Sequence, residues 1–348
     1  MFHQNINLPL IIESVCFEEL SLEKVFNSYN LSFDKLLILT GGDNSSFFAE
    51  QITANNRALI KHIHKNTDNS LELVSRLKNK VFDLKIDAVV GVGGGKVLDT
   101  AKYLATKTKL PYFAIPTVVS SDALASPISI LGNTDKTKGY SAQIPSGILI
   151  DYEVISKSGK DHILSGLGDI FSNLSALNDW DLAVKAGKAK PNNFARFLSE
   201  VSVSNILNKE IDFSDPGFIK TYINSIIISG LAMNISGNSR PCSGSEHLLA
   251  HALTGISNSS YSHGFMVGSF TPFSLYLQNS LDHKILKILE TLGFDISLAH
   301  IFKNMHDFKK AVDLAQEIRG DRFTVFNKFN LNQLEREYSN FCKDLDKS

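Results

Sequence analysis

Three histidines and one aspartate are the residues of this chain whose types and spacing best suit chemistry. His247 and His251 are four residues apart, so on a helix they share one face, and His263 follows with Gly264 beside it. Catalytic zinc takes three protein ligands and leaves one position open for water or substrate. Asp169, His247 and His263 would make such a set. His251 would then face the substrate as a proton relay or hydrogen-bond donor.

Each of these residues also has a structural interpretation. A single histidine is more often a solvated or satisfied side chain, and a lone aspartate before a helix is more often a cap. Asp169 follows two glycines, which predicts a turn ahead of an apolar helix from Ile170 to Leu182. Three histidines within seventeen residues, with small residues around them, favour a metal or active site.

A glycine-rich segment follows an apolar strand and opens a helix. It runs Gly91-Val-Gly-Gly-Gly-Lys-Val-Leu-Asp99. It is neither the Rossmann fingerprint nor a P-loop. Free N–H groups at a helix start favour a phosphate, so the segment indicates pyrophosphate binding, which we weigh against a plain strand-to-helix turn with Asp99 as a first-turn charge.

Hydroxyl side chains follow the next predicted strand, at the edge where open α/β sheets bind ligands. The segment runs from Thr117 through Ser120 to Ser126, with Asp122 between them. The hydroxyls would bond ribose, phosphate or the nicotinamide amide, and Asp122 would take a substrate hydroxyl. An ordinary serine-rich loop with Asp122 as a helix cap is the alternative.

Two different patterns of hydrophobic residues position these motifs. Up to about residue 150, short apolar runs alternate with amphipathic helices, which predicts an α/β domain with a parallel sheet, closed by a hairpin and a strand at Gly147–Ile150. Beyond Asp151 helical spacing dominates. We therefore predict a Rossmann-like dinucleotide-binding domain over residues 1–155 and an all-helical metal- and substrate-binding domain over residues 156–348.

Composition excludes several classes of protein. The net charge of -1 gives no global field for nucleic acid or an anionic membrane. The three cysteines show no paired spacing, which argues against a disulfide framework and fits a reducing cytoplasm. No signal peptide is evident at the N-terminus, and no window approaches the roughly 20 apolar residues of a spanning helix.

These motifs, in this order, resemble the superfamily of dehydroquinate synthase and the iron-containing or glycerol dehydrogenases. Within it the sequence is most similar to the sn-glycerol-1-phosphate dehydrogenases. The resemblance is carried by four separated segments, which span residues 91–264. It implies a dehydroquinate synthase-like fold, with the active site in the cleft between a Rossmann-like domain and a helical domain.

The resemblance also implies roles for particular residues. Asp169, His247 and His263 would hold one divalent metal, zinc in this group, although nickel or iron would suit the same ligands. Asp122 and His251 would be the catalytic residues that contact substrate, together with Asp169. The expected contacts to NAD or NADP are Gly93, Gly94, Gly95, Lys96, Val97, Leu98, Asp99, Thr117, Ser120 and Ser126.

The implied reaction is the NAD(P)H-dependent reduction of dihydroxyacetone phosphate, or a related phosphorylated ketone, to sn-glycerol 1-phosphate. Ala123 stands where the resemblance leads us to expect glycine, and Phe265 stands where a polar residue is common. A different polyol phosphate is therefore an alternative substrate. A carbocycle-forming lyase like dehydroquinate synthase is an alternative, but that branch has glutamate at the position of Asp169. A glycerol dehydrogenase is another alternative. Partners are expected to be the small-molecule substrate and further copies of the chain in a homo-oligomer.

Overall fold

A computed structural model describes residues 8–133, 136–256, 261–302, 304–318, 320 and 322–345. The chain divides into two compact units. Unit 1 comprises Met1–His162 and Glu210–Asn234, and unit 2 comprises Ile163–Lys209 and Ile235–Ser348.

Unit 1 is built on a six-stranded parallel sheet with the strand order β1-β8-β5-β4-β2-β3. The central strands β2, β4 and β5 are buried along their whole length, as expected for apolar runs in a sheet covered on both faces. The strands of the sheet are β1 (Ile11–Ser14), β2 (Leu36–Thr40), β3 (Ile60–His64), β4 (Ala88–Gly93), β5 (Tyr112–Pro116) and β8 (Gly147–Ile150). The predicted α/β domain with a parallel sheet is therefore confirmed.

Helices connect these strands, and a separate hairpin precedes the last one. The hairpin pairs β6 (Ile128–Asn133) with β7 (Lys136–Ser141) antiparallel, as the glycines and prolines of this region predict. The helices of unit 1 are α1 (Leu22–Ser28), α2 (Asp43–Asn55), α3 (Leu71–Leu84), α4 (Gly95–Thr108), α5 (Tyr152–Ser156) and α8 (Pro216–Ser236, up to Asn234).

The assignment of α8 to unit 1 differs from the predicted division at residue 155. Tyr222 donates its hydroxyl to the Val119 carbonyl at 2.6 Å, and Gly230 packs against the backbone of Ala125. Because α8 is apolar around most of its circumference, its sequence does not indicate which neighbour it packs on. By length and composition α8 is also the one described helix that could cross a membrane. However, 67% of its apolar 18-residue window is buried, as in the core helix of a globular protein.

In unit 2 every described secondary-structure element is helical, which confirms the all-helical prediction. Its core is rich in aromatic side chains, and the rings of Phe308 and Tyr338 stack with centroids 4.3 Å apart. The α-helices are α6 (Lys160–Lys185, in unit 2 from Ile163), α7 (Asn193–Leu207), α9 (Ser245–Ile256), α10 (His263–Leu277), α11 (His283–Leu292), α12 (Met305–Ile318) and α13 (Leu331–Leu345).

Asp169 lies inside a helix, so the predicted turn before Ile170 is wrong. Helix α6 begins at Lys160 and continues through the segment Gly166-Leu-Gly-Asp169 without a break. Glycine lowers helix propensity, but packing between helices outweighs that cost here. The two glycines therefore do not end the helix.

Candidate metal and dinucleotide sites

The glycine-rich segment of unit 1 places an open helix N-terminus at the carboxyl end of β4. Gly94 is the N-cap of α4, and it supplies no side-chain acceptor to the first turn. That turn carries no acidic residue either. Helix α2 on the neighbouring strand β2 also begins after a glycine, Gly42, without a side-chain cap. The N–H groups at the N-termini of both helices can donate hydrogen bonds to an anion such as pyrophosphate.

The predicted cofactor residues around this segment differ in whether their side chains are exposed or buried. Lys96 is exposed at the first turn of α4. The side chains of Val97 and Leu98 are buried against β4, so only their backbone is available to a dinucleotide. Thr117 is buried and shares a 3.3 Å hydrogen bond with Ser45 of α2.

Asp99 points into the protein, which differs from the predicted contact with the cofactor. Its Oδ1 lies 3.1 Å from the Lys102 ammonium, and its Oδ2 accepts the backbone N–H of Ile130 at 3.0 Å. Position 99 lies on the buried face of α4, where a carboxylate needs such partners. The alternative of a solvated first-turn charge does not fit either.

Asp122 begins a short 3₁₀ turn that follows β5, and it is half-buried. Desolvation raises its pKa to about 6; the Lys102 ammonium opposes that rise, and the Asp99 carboxylate adds to it. Raised pKa values of this kind are common among acids that handle protons. Ser126 at the end of the same loop is buried and donates its hydroxyl to the Ile128 carbonyl at 3.3 Å.

Unit 2 brings together the predicted metal ligands. One donor atom from each of Asp169, His247 and His263 lies within 4.8 Å of the other two, and this is the one group of potential ligands of this kind among the described residues. Asp169 is buried, His247 is half-buried and His263 is exposed, so the group opens toward solvent. A carboxylate oxygen and two imidazole nitrogens suit a divalent cation of the zinc class.

The three ligands come from three helices that cross closely. Asp169 lies in α6, His247 in α9 and His263 at the start of α10. A Cβ atom on Gly168 would overlap the carbonyl oxygen of Gly264, and one on Gly264 would overlap that of Ser165. Glycine beside Asp169 and glycine beside His263 thus let α6 and α10 touch backbone to backbone, which brings these two residues to one point.

His251 lies beside this group without belonging to it. Its ring stacks on that of His263 with centroids 5.2 Å apart, whereas the centroid of His247 is 6.3 Å away. A cation requires both histidine rings of the group in their neutral form. His251 is therefore next to the ligand group, as the helix spacing predicts.

A buried pair of carboxylates supports the ligands, and the sequence motifs did not single it out. Glu246 has no exposed surface, and its Oε1 lies 2.9 Å from His247 Nδ1 while it also accepts the Gly244 N–H at 2.6 Å. Ser175 donates to the other oxygen at 2.6 Å. Asp179 accepts the Ser245 N–H at 2.7 Å, and burial together with Glu246 raises its pKa to about 6. The position of Glu246 beside a candidate ligand was the available signal.

We expect Glu246 to hold His247 in the tautomer that leaves Nε2 for the cation. Glu246→Ala should weaken cation binding by about 10–100-fold, as loss of such carboxylate–histidine contacts does elsewhere. Glu246→Gln should be intermediate, because its amide oxygen can still accept from Nδ1. Competition between chelator and metal-free protein measures the affinity. Ser175→Ala leaves the contact to His247 in place and serves as control; equal affinity in Glu246→Ala and Ser175→Ala would contradict the role.

Arg240 also belongs to unit 2 and lies in the segment before α9. It lines a pocket of about 500 Å³ with Lys190, Asn192 and Arg322, among others. Its Nη1 donates to the Phe323 carbonyl at 3.1 Å. This places part of its hydrogen-bonding capacity on the protein backbone.

Comparison with known proteins places the chain among dehydrogenases. Residues 20–158 match the family model described as iron-containing alcohol dehydrogenase. The chain is 30% identical over 302 residues to a glycerol-1-phosphate dehydrogenase (NAD(P)+) from Aeropyrum pernix, with 86% of each chain covered. It is 32% identical to the protein of the same name from Thermoplasma volcanium, with 78% of each covered.

The chain belongs to the glycerol-1-phosphate dehydrogenase family. A solved structure confirms the fold: the glycerol dehydrogenase from Schizosaccharomyces pombe superposes with a TM-score of 0.79 at 18% identity, covering 97% of this chain and 90% of that one. At that identity the likeness concerns the fold alone.

Proposed function

We propose that this chain reduces dihydroxyacetone phosphate to sn-glycerol 1-phosphate with NADH or NADPH, and that a divalent cation, zinc in the first instance, binds at Asp169, His247 and His263. The observation that carries the proposal is the grouping of these donors within 4.8 Å in a member of this family. The donor set fits zinc, and it also suits nickel or iron.

The chemistry divides between the bound groups and the chain. When bound, the cation acts as a Lewis acid toward the ketone oxygen, and the nicotinamide supplies the hydride. The ketone carbon gains the hydride and its oxygen gains a proton, so two electrons pass to the substrate. His251 moves that proton, directly or through a water it orders. Asp122 accepts a hydrogen bond from a substrate hydroxyl, and the first-turn N–H groups of α4 hold the pyrophosphate.

The test is an assay of NADH and NADPH oxidation with dihydroxyacetone phosphate, before and after chelation. We expect activity to be lost on chelation and restored by zinc, because the carbonyl is then polarised again. Nickel and iron are restored separately to identify the preferred metal. The absorbance of the reduced cofactor reports the rate.

The controls separate the alternatives. Dihydroxyacetone without phosphate should be reduced far more slowly, which a glycerol dehydrogenase would not show. A lyase consumes no NADH overall, so steady oxidation excludes that class. If metal-loaded protein binds NADH and yet oxidises none with dihydroxyacetone phosphate, the proposed substrate is wrong.

A further inference from the structure

A lysine in unit 1 is buried with three oxygen atoms around its ammonium group. None of the surface of Lys102 is exposed. Its Nζ lies 3.1 Å from Asp99 Oδ1, and it donates to the carbonyl oxygens of Ala123 at 2.9 Å and Ser126 at 3.1 Å. A buried ammonium is costly unless it is paired and hydrogen-bonded, and Lys102 has one carboxylate partner and two carbonyl acceptors. Such an arrangement holds its partners at defined positions.

The partners of Lys102 are the backbone of one loop. Asp122 opens that loop, and its carbonyl accepts the N–H groups of Ala125 at 3.0 Å and Ser126 at 2.9 Å. The loop is therefore a compact turn, and Lys102 binds carbonyl oxygens near its start and at its end. Lys102 itself lies two turns into α4, the helix whose N-terminus follows the glycine-rich segment.

We propose that Lys102 is a positioning residue, which locks the Asp122–Ser126 loop to α4 and so sets the loop's residues for substrate and dinucleotide. The inference rests on the proposed function for the identity of those ligands. Asp99 neutralises the ammonium, and its second oxygen accepts the backbone N–H of Ile130 in β6. The hairpin is therefore held next to the same carboxylate. A shift of about 1 Å in such a loop can cost about 100-fold in rate.

The same contacts give Lys102 an electrostatic effect that a purely structural residue would lack. Lys102 lowers the pKa of Asp122, while desolvation and Asp99 raise it. Tyr112 of β5 is the other titratable group beside Asp99; burial and that carboxylate raise its pKa, so it stays neutral. A raised pKa means that Asp122 is ionised only above about pH 6. In sn-glycerol 1-phosphate oxidation, kcat/KM should therefore rise as the pH increases through that value.

Two variants separate the tether from the charge. Asp99→Asn removes a negative charge and keeps Lys102 on its two carbonyls, so the acidic limb of the kcat/KM profile should move to lower pH. Asp99→Asn with Lys102→Met removes the tether as well, without leaving a buried charge unpaired. In this double variant the acidic limb should move back to higher pH. Relative to Asp99→Asn, kcat/KM should fall by about 100-fold and NADH should bind about tenfold more weakly. Fluorescence titration measures the NADH affinity.

The outcomes are distinct. Equal NADH affinity and equal kcat/KM in the two variants would overturn the proposal, since Lys102 would then only fill space. If circular dichroism shows that the double variant does not fold, the Asp99→Asn profile decides, and an unmoved acidic limb would overturn it. Asp122→Asn, which should lack that limb, shows that the limb belongs to Asp122.

The NADH titration keeps this inference separate from the proposed reaction. A wild-type protein that binds NADH without reducing dihydroxyacetone phosphate would defeat the proposed substrate. The tenfold change in NADH affinity would still test Lys102 in that case.

Discussion

His247→Ala should lower kcat/KM for dihydroxyacetone phosphate by at least about 1000-fold. The variant removes one of three donors, and polarisation of a carbonyl by a bound cation is worth several kcal/mol, with about 1.4 kcal/mol for each factor of ten. We expect the loss of rate to coincide with loss of tight cation binding. Steady-state NADH oxidation and metal content after dialysis measure the two effects.

Two other histidines serve as matched comparisons for His247→Ala. His300 is on the surface of unit 2 with 78% of its side chain exposed, so His300→Ala should change neither quantity. His251→Ala should retain the cation and lose rate, because His251 lies beside the ligand group and outside it. If His247→Ala turned over at the wild-type rate, the cation would have to bind elsewhere.

Gly264→Ala should damage both the stability of unit 2 and its candidate metal site. The added Cβ would overlap the Ser165 carbonyl, a backbone atom that cannot move without its helix. Overpacking costs about 1–3 kcal/mol, and each kcal/mol lowers the melting temperature by about 2–4 °C in a domain of this size, so we expect a fall of about 2–12 °C. Separation of α6 from α10 would also move Asp169 away from His263, which chelator competition detects as weaker cation binding.

Gly255→Ala is the control for this effect. Gly255 lies in α9, and a Cβ there would meet Leu314 at an ordinary 3.5 Å. Alanine favours helix over glycine by up to about 1 kcal/mol, so this variant should melt at the wild-type temperature or above it. If Gly264→Ala behaved like Gly255→Ala, the close crossing would not be what assembles the ligands.

The proximity of His251 to the candidate ligand His247 could be predicted because a four-residue spacing is a local property. Histidines four residues apart share a face of any helix, and α9 forms over both of them. The glycines before Asp169 were interpreted as a turn for the same local reason. Gly168 instead allows a close approach to Gly264, nearly a hundred residues later, which depends on tertiary packing that no local pattern encodes.

Buried charge was harder to predict than the strands and helices. Asp99 looks like a surface charge in the sequence, yet it pairs with Lys102 one turn later on the buried face of α4. Glu246 and Asp179 converge on the segment before His247 from two helices. Polar residues are expected at the surface, so an internal network of this kind becomes evident only when its partners are located in space.

The route of the chain through its two units has a consequence for synthesis and for fragments. The polypeptide leaves unit 1 after His162, returns for Glu210–Asn234 and then leaves again. On the ribosome, unit 1 cannot be completed until residue 234 has been made, long after its last strand. A gene fragment cut at residue 162 would lack α8 and leave the Val119 carbonyl without the Tyr222 hydroxyl. An excised version of unit 1 must have residues 210–234 joined back onto it, whereas unit 2 needs a linker in place of that segment.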